Sequence, residues 1–404
     1  MARKMDVEKI RQDFPILGQK KPPIYFDNAC MTLRPRQVIE AINRYYNEFP
    51  SCGERSMHRL GRLVTEEVDK ARMLVGKFFN AREAKEVIFT KNTTEAINLI
   101  AHCLPLKHGD KVLTTDKEHN SNLVPWQLLA GKGVKHAVVK SKSDGTFDTE
   151  AFKASLDNDV KLVSMVYTSN LDGVTNPVRE IIKIAHDHHA LVLLDAAQAA
   201  PHRPIDVKAL DVDFLACSGH KMLGPSGTGI LYGKAALLEG MPHYIAGGGT
   251  VIDTTYDSFK PEKVPERFEA GLQDYAGIIG LGAAMQYLSK IGLQDIEKHE
   301  TELNRTIMDG IKEIKGISII GPADPALRGG IISFNLRGMD PHEIAMLLDR
   351  SANIAIRSGA HCVHSWFNAH GMKGSARASL YIYNTKQECQ IFIEQLKKVA
   401  SLVK

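Results

Sequence analysis

Six short apolar runs, each separated from the next by a segment long enough to hold a helix, constrain this chain more than any other feature. They cover residues 86–90, 111–115, 161–167, 191–194, 214–217 and 229–232. Apolar runs of that length read as strands covered on both faces. Buried strands joined through helices predict a mainly parallel sheet with helices on both sides. From Asp295 the rhythm changes. A long charged helix, a strand over 329–335, a helix after Pro341 and a last helix from Lys386 predict a smaller α+β unit.

Composition narrows the class without choosing a function. The 404 residues are 44% hydrophobic, which suits a globular protein of two domains. A net charge of +4 is spread over 51 basic and 47 acidic side chains and gives no concentrated face for nucleic acid or a membrane surface. Cysteines at 30, 52, 103, 217, 362 and 389 have neither the density of a disulfide scaffold nor the paired spacing of a zinc site. A reducing cytoplasm and no metal are therefore expected. Near the N-terminus Arg3 and Lys4 mix with Asp6, Glu8 and Asp13 without an apolar signal core. No stretch reaches about 18 uninterrupted apolar residues, so no membrane span is expected.

Two strand ends carry candidate chemistry. The run 191–194 leads into Asp195-Ala196-Ala197-Gln198, and the run 214–217 into Ser218-Gly219-His220-Lys221. Open α/β sheets gather ligands at the carboxyl ends of their strands. Taken singly, Asp195 reads as a helix N-cap and Lys221 as a surface lysine in a turn. Together they match what pyridoxal phosphate (PLP) needs: a lysine to hold the aldehyde carbon as a Schiff base, and a carboxylate to keep the pyridinium nitrogen protonated.

Around that pair the chain resembles a known family. The segments are Tyr25-Phe26-Asp27-Asn28-Ala29, Thr93-Thr94-Glu95-Ala96-Ile97-Asn98, Glu118-His119, Thr168-Ser169-Asn170, Asp195 to Gln198, Arg357-Ser358-Gly359-Ala360-His361-Cys362 and Arg377-Ala378-Ser379-Leu380. With the lysine motif they resemble, in order and over nearly the whole length, the class V, fold-type I PLP enzymes. Within these the likeness is to the group II cysteine desulfurases and selenocysteine lyases. It implies a large domain with a mainly parallel seven-stranded sheet over 20–285. A small α+β domain over 286–404 would carry the Cys362 loop, and an N-terminal segment 1–19 would pack with it. It also implies a homodimer acting on L-cysteine, and on selenocysteine, with a sulfur-acceptor protein as partner.

Helix physics suggests where the phosphate sits. Asn92 and Glu95 have capping-box spacing, which places Thr93 and Thr94 in the first turn of a helix. Unpaired N–H groups and the positive end of the helix dipole favour an anion there. The same residues also read as plain capping without a ligand. The resemblance adds Ser218 and His220 to the phosphate, His119 stacked on the pyridine face, and Gln198 on the phenolic oxygen. A substrate carboxylate calls for a guanidinium, and the resemblance assigns this to Arg377 with Asn170 beside it. Arg357 is assigned a structural role.

Cys362 marks the desulfurase. Residues 354–356 read as a strand and 358–360 as a loop that carries the thiol outward, where it can take the substrate sulfur as a persulfide. His361 is adjacent in sequence only. His220 is a second candidate for moving protons, and Lys221 for reprotonating the alanine carbon. The other cysteines read as packing residues. The alternative is another class V lyase or aminotransferase in which Cys362 is incidental.

Departures from the family pattern are Leu272 in place of a phosphate-binding threonine, Asn120 after His119, residues 363–368 after the cysteine, and Glu54-Arg55-Ser56. His186-Asp187-His188-His189 reads as a solvated helix end rather than a metal site. Gly247-Gly248-Gly249 reads as a flexible connection.

Overall fold

A computed structural model describes residues 5–54 and 56–402. Arg3, Lys4 and Arg55 lie outside the described residues. Seven strands form the central sheet in the order Val87–Thr90, Gly229–Gly233, Phe214–Ser218, Leu191–Asp195, Val160–Val166, Lys111–Thr115 and Lys135–Val139. Gly229–Gly233 runs against both its neighbours and the other six strands are mutually parallel.

All six apolar runs are strands of this sheet. Residue 86 is a correction: Glu86 closes the turn Ala84–Glu86 instead of opening a strand, and its carboxylate accepts from the Arg82 and Glu83 amides. The seventh strand, Lys135–Val139, lies at the edge, with Lys135 and Val138 exposed. An edge strand open to solvent does not need the apolar signature of a covered one.

Successive strand residues face opposite sides, and here they enter separate cores. Val163, Leu194 and Leu215 pack on one face, while Leu162, Leu193 and Phe214 pack on the other, all essentially solvent-free. Truncating one of these leucines to alanine is expected to cost about 2–5 kcal/mol. Helix Thr93–Cys103 sits in the second core through Ala96, Ile97 and Ile100, so its first turn is held firmly at the carboxyl edge of the sheet.

A second sheet has four antiparallel strands in the order Ile317–Ile320, Ile331–Leu336, Ser375–Ser379 and Arg357–Gly359. Helices Leu293–Ile311, Pro341–Ala352 and Lys386–Ala400 cover it through residues such as Leu303, Leu348 and Phe392. Residues 358 and 359 of the expected 358–360 loop therefore belong to an edge strand, Arg357–Gly359. The reason is close backbone approach: a Cβ on Gly374 would lie 2.7 Å from the carbonyl carbon of Gly359.

The N-terminal segment packs against the C-terminal part of the chain. Arg11 donates to the Tyr383 carbonyl at 2.6 Å and to Glu388 at 2.9 Å. Phe14 packs edge-on against both Tyr287 and Tyr383. Ile24–Tyr25 pairs in parallel with Ile354–Ala355.

Candidate active site

A cleft of about 280 Å³ lies between the carboxyl ends of the central strands and the small sheet. Every sequence-predicted candidate lines it: Thr93, Thr94, His119, Asn170, Asp195, Gln198, Ser218, His220, Lys221, Cys362 and Arg377. Segments up to almost 300 residues apart in the chain thus converge on one space.

Asp195 ends its strand fully buried, with its Oδ1 accepting from the Ala197 amide at 3.0 Å. Burial raises its carboxyl above the usual range, while the Ala197 amide and Lys221 oppose the rise. Lys221 follows the neighbouring strand. Burial lowers its amine, and Asp195 works against that. A lysine made easier to deprotonate is a better nucleophile toward an aldehyde.

Asn92 caps helix Thr93–Cys103 through the Glu95 amide at 3.0 Å. The Glu95 carboxylate reaches back to the Lys91 amide rather than to Asn92, so the expected reciprocal box is displaced by one residue. Ser218 Oγ accepts from the Thr93 amide at 2.9 Å and lies 2.6 Å from Thr93 Oγ1. Thr94 pairs with Ser121 at 2.7 Å. Three hydroxyls and a helix N-terminus therefore face one end of the cleft. Gly229 lets that turn sit where it does, because a Cβ there would meet the Asn92 backbone at 2.5 Å.

His119 Nδ1 accepts from the Ser121 amide at 3.1 Å, which orients the ring. Burial, reinforced by Lys221, Arg377 and His364, lowers it to about 3, so the imidazole is neutral. His220 is lowered to about 4, mainly by burial. Gln198 donates to the Ala29 carbonyl at 2.7 Å and leaves its own buried Oε1 without a partner among the described residues.

Arg377 is buried, donates to the Asn170 carbonyl at 2.8 Å, and stands 3.9 Å from Asp27. Burial lowers it to about 10, which leaves it charged at neutral pH. Its Nε and the Asn170 Oδ1 lack partners among the described residues. A buried guanidinium with a distant counter-ion is ready to receive a carboxylate.

Cys362 is exposed at the rim of the cleft. Both His361 and Cys362 are left-handed, at φ 49° and 58°, a conformation costing roughly 1–3 kcal/mol per non-glycine residue. Hydrogen bonds hold it. The Asn170 side chain donates to the His361 carbonyl at 2.8 Å, the Asn120 amide to the Cys362 carbonyl at 2.7 Å, and the Val363 amide to the Ala360 carbonyl at 2.8 Å. The Asn120 side chain also lies 2.9 Å from His364 Nδ1. Asn120, a departure from the family pattern, thus braces the cysteine turn. The His361 ring is hydrogen-bonded to Ser375 at 2.9 Å and burial lowers it to about 2, so it is a neutral wall residue.

The residues after Cys362 form the short helix His364–Ala369. His186 pairs with Asp213 at 2.8 Å. The packing reading needs correction at two cysteines: Cys52 is exposed, and Cys30 opens onto the cleft. Cys103, Cys217 and Cys389 are buried, but Cys30 is only partly buried and lines the cleft beside Lys221 and Arg377. Its sequence neighbourhood gave no sign of this, because residues 27–31 form an irregular turn without periodicity.

A family model for aminotransferase class V matches residues 24–392. The chain belongs to the class V aminotransferase family. Among the relatives of this class V chain, a probable cysteine desulfurase of Synechocystis is 42% identical over 396 residues, covering 96% of this chain and 94% of its own. The apo structure of a cysteine desulfurase from Thermococcus onnurineus superposes with a TM-score of 0.94 at 36% identity, covering 100% of this chain and 99% of the other. An Escherichia coli cysteine desulfurase solved as an S-sulfonic acid gives 0.92 at 29% identity, with both chains fully covered.

Proposed function

We propose that this class V chain is a cysteine desulfurase that converts L-cysteine to L-alanine and keeps the sulfur as a persulfide on Cys362. The observation that carries this reading is the Cys362 thiol, exposed on a braced left-handed turn at the rim of the cleft that holds Lys221, Asp195 and Arg377. The desulfurase names of the relatives support it.

The cofactor is pyridoxal 5′-phosphate, and the residues fit it. Lys221 would hold its aldehyde carbon and Asp195 its ring nitrogen. Thr93, Thr94, Ser218 and His220 would hold the phosphate, His119 would stack on the ring, and Gln198 would meet the phenolic oxygen. The unpartnered Gln198 Oε1 and the hydroxyl-lined helix N-terminus are the features such a group would satisfy. When bound, the cofactor supplies an electron sink for charge developing on the substrate α-carbon.

The chain's own residues do the rest. Arg377 and Asn170 bind the substrate carboxylate and fix the amino acid against Lys221. Lys221 moves the α-proton, and neutral His119 and His220 can accept one. Cys362 takes the sulfur, leaving an alanine carbon for Lys221 to protonate. Residues 20–285 form the PLP-binding domain, 286–404 the domain that presents Cys362, and 1–19 a segment packed with the latter.

Selenocysteine fits the same site. A homodimer is supported by the hairpin Val251–Thr254 and Phe259–Pro261, where Ile252, Tyr256 and Phe259 are exposed, as Leu272 is elsewhere. The persulfide would pass to an acceptor protein in the cytoplasm. Among the described residues no helix is long and apolar enough to cross a membrane.

The test is alanine and sulfide formation from L-cysteine, with selenocysteine as comparison, for the holoenzyme and Cys362→Ala. Cysteine turnover should collapse in the variant. Unchanged turnover would overturn the persulfide reading in favour of another class V reaction.

A further inference from the structure

We infer that Cys30 is a second sulfur-handling thiol of this cleft, which takes the outer sulfur of the Cys362 persulfide and so frees Cys362 for another turnover. The inference rests on the persulfide reading above.

Cys30 and Cys362 line the same space of about 280 Å³, together with Lys221 and Arg377. Cys362 is at the exposed rim and Cys30 is more sheltered. Both thiols act electrostatically on both Lys221 and Arg377, as two groups facing one cavity should. The cleft is built for ligands, since Arg377 Nε, Asn170 Oδ1 and Gln198 Oε1 are buried there without partners among the described residues.

The other thiols are placed differently. Burial pushes Cys103 up to about 11 and Cys389 to about 12, and raises Cys217 as well, which suits packing. Cys52 is exposed, but its sulfur lies 3.9 Å from the Tyr275 hydroxyl, outside the cleft.

Cys30 also has a firm mount. Its amide donates to the Asp27 carbonyl at 3.1 Å, and the Ala29 amide to Ser379 Oγ at 2.9 Å. Asn28 ties the turn to the small sheet through the Ser379 carbonyl at 2.7 Å and Asn384 at 3.1 Å. The turn carrying Cys30 is therefore tied by hydrogen bonds to the strand carrying Arg377.

The step balances without an added reductant. The Cys30 sulfur attacks the outer sulfur of Cys362–S–SH, the existing S–S bond breaks, and a new one forms on Cys30. The proton lost by Cys30 ends on the Cys362 sulfur, and His220 in the same cleft can carry it. Sulfur exchange of this kind depends on access and thiolate character. Its consequence is storage of two sulfane sulfurs per chain.

The experiment loads the PLP holoenzyme with excess L-cysteine, without acceptor or reductant, then alkylates and maps sulfur on each cysteine by peptide mass spectrometry while counting alanine. The wild type should carry extra sulfur on both Cys30 and Cys362. In Cys30→Ser and Cys30→Ala, cofactor absorbance reports folding, and the alanine burst should halve with sulfur on Cys362 alone. In Cys362→Ala, Cys30 should stay unloaded. Sulfur confined to Cys362 in the wild type, or a loaded Cys30 in Cys362→Ala, would overturn the relay. No alanine from any of the proteins would instead refute the desulfurase reading itself.

Discussion

Arg377 donates to the main-chain oxygen of Asn170 at 2.8 Å, while the Asn170 side chain donates to the His361 carbonyl at the same distance. One asparagine therefore joins the buried Arg377 guanidinium to the turn that carries the Cys362 thiol. Under the roles proposed for Arg377 and Cys362, substrate capture and sulfur acceptance would share a support, and a substitution at either end should be felt at the other.

Arg377→Lys keeps the charge but loses the planar fork. Losing one charge-assisted hydrogen bond, worth about 1.5–3 kcal/mol, should raise KM for L-cysteine roughly 10–100-fold. Steady-state kinetics should show kcat falling less than KM rises. An unchanged KM would place the carboxylate elsewhere.

Gly229→Ala drives a methyl group to within 2.5 Å of the Asn92 backbone. The first turn of helix Thr93–Cys103 must shift away from Ser218. Cofactor affinity, measured by titrating PLP into the apoprotein, should weaken by about tenfold or more, the equivalent of one hydrogen bond to a charged group. Affinity equal to wild type would remove this turn from the phosphate site.

Gly374→Ala tests the cysteine mount separately. The added methyl would press on Gly359 at 2.7 Å and push the edge strand Arg357–Gly359 outward. Because Lys221 and Asp195 are on the other sheet, the cofactor spectrum should be retained while kcat falls. Loss of both together would mean the two sheets are not independent supports.

Glu118 is fully buried and accepts from the Val166 amide at 3.0 Å, Thr115 Oγ1 at 2.6 Å and Asn122 at 2.7 Å, just before His119. Burial raises it from 4.5 to about 7. A raised carboxylate stabilises the fold fully below its unfolded pKa and loses that contribution as pH climbs through the folded one. The window here runs from about 4.5 to about 7. Glutamine cannot titrate, so the Tm of Glu118→Gln relative to wild type should improve as pH rises from about 4.5 to about 7. A gap that does not change with pH would show that Glu118 is ionised throughout.

Much of the architecture is legible in the sequence. Burial on both faces writes itself as continuous apolar runs, which is why six central strands could be read directly. The edge strand Lys135–Val139 could not, because only one side of it needs cover. Arg357–Gly359 was missed for a different reason: Gly359 has no side chain to signal a strand, and the backbone contact with Gly374 is invisible in composition.

Linear order alone determined which strand ends carry Asp195 and Lys221, since each side chain's place follows from the apolar run before it. That is local information, carried by periodicity and turn chemistry. Tertiary structure alone decided that His361 turns to Ser375, that Asn120 braces Cys362, and that Cys30 shares a cleft with a thiol 332 residues away. Such meetings are set by how two separately packed sheets dock, and that geometry arises from side-chain packing between distant segments, which leaves no periodic trace along the chain.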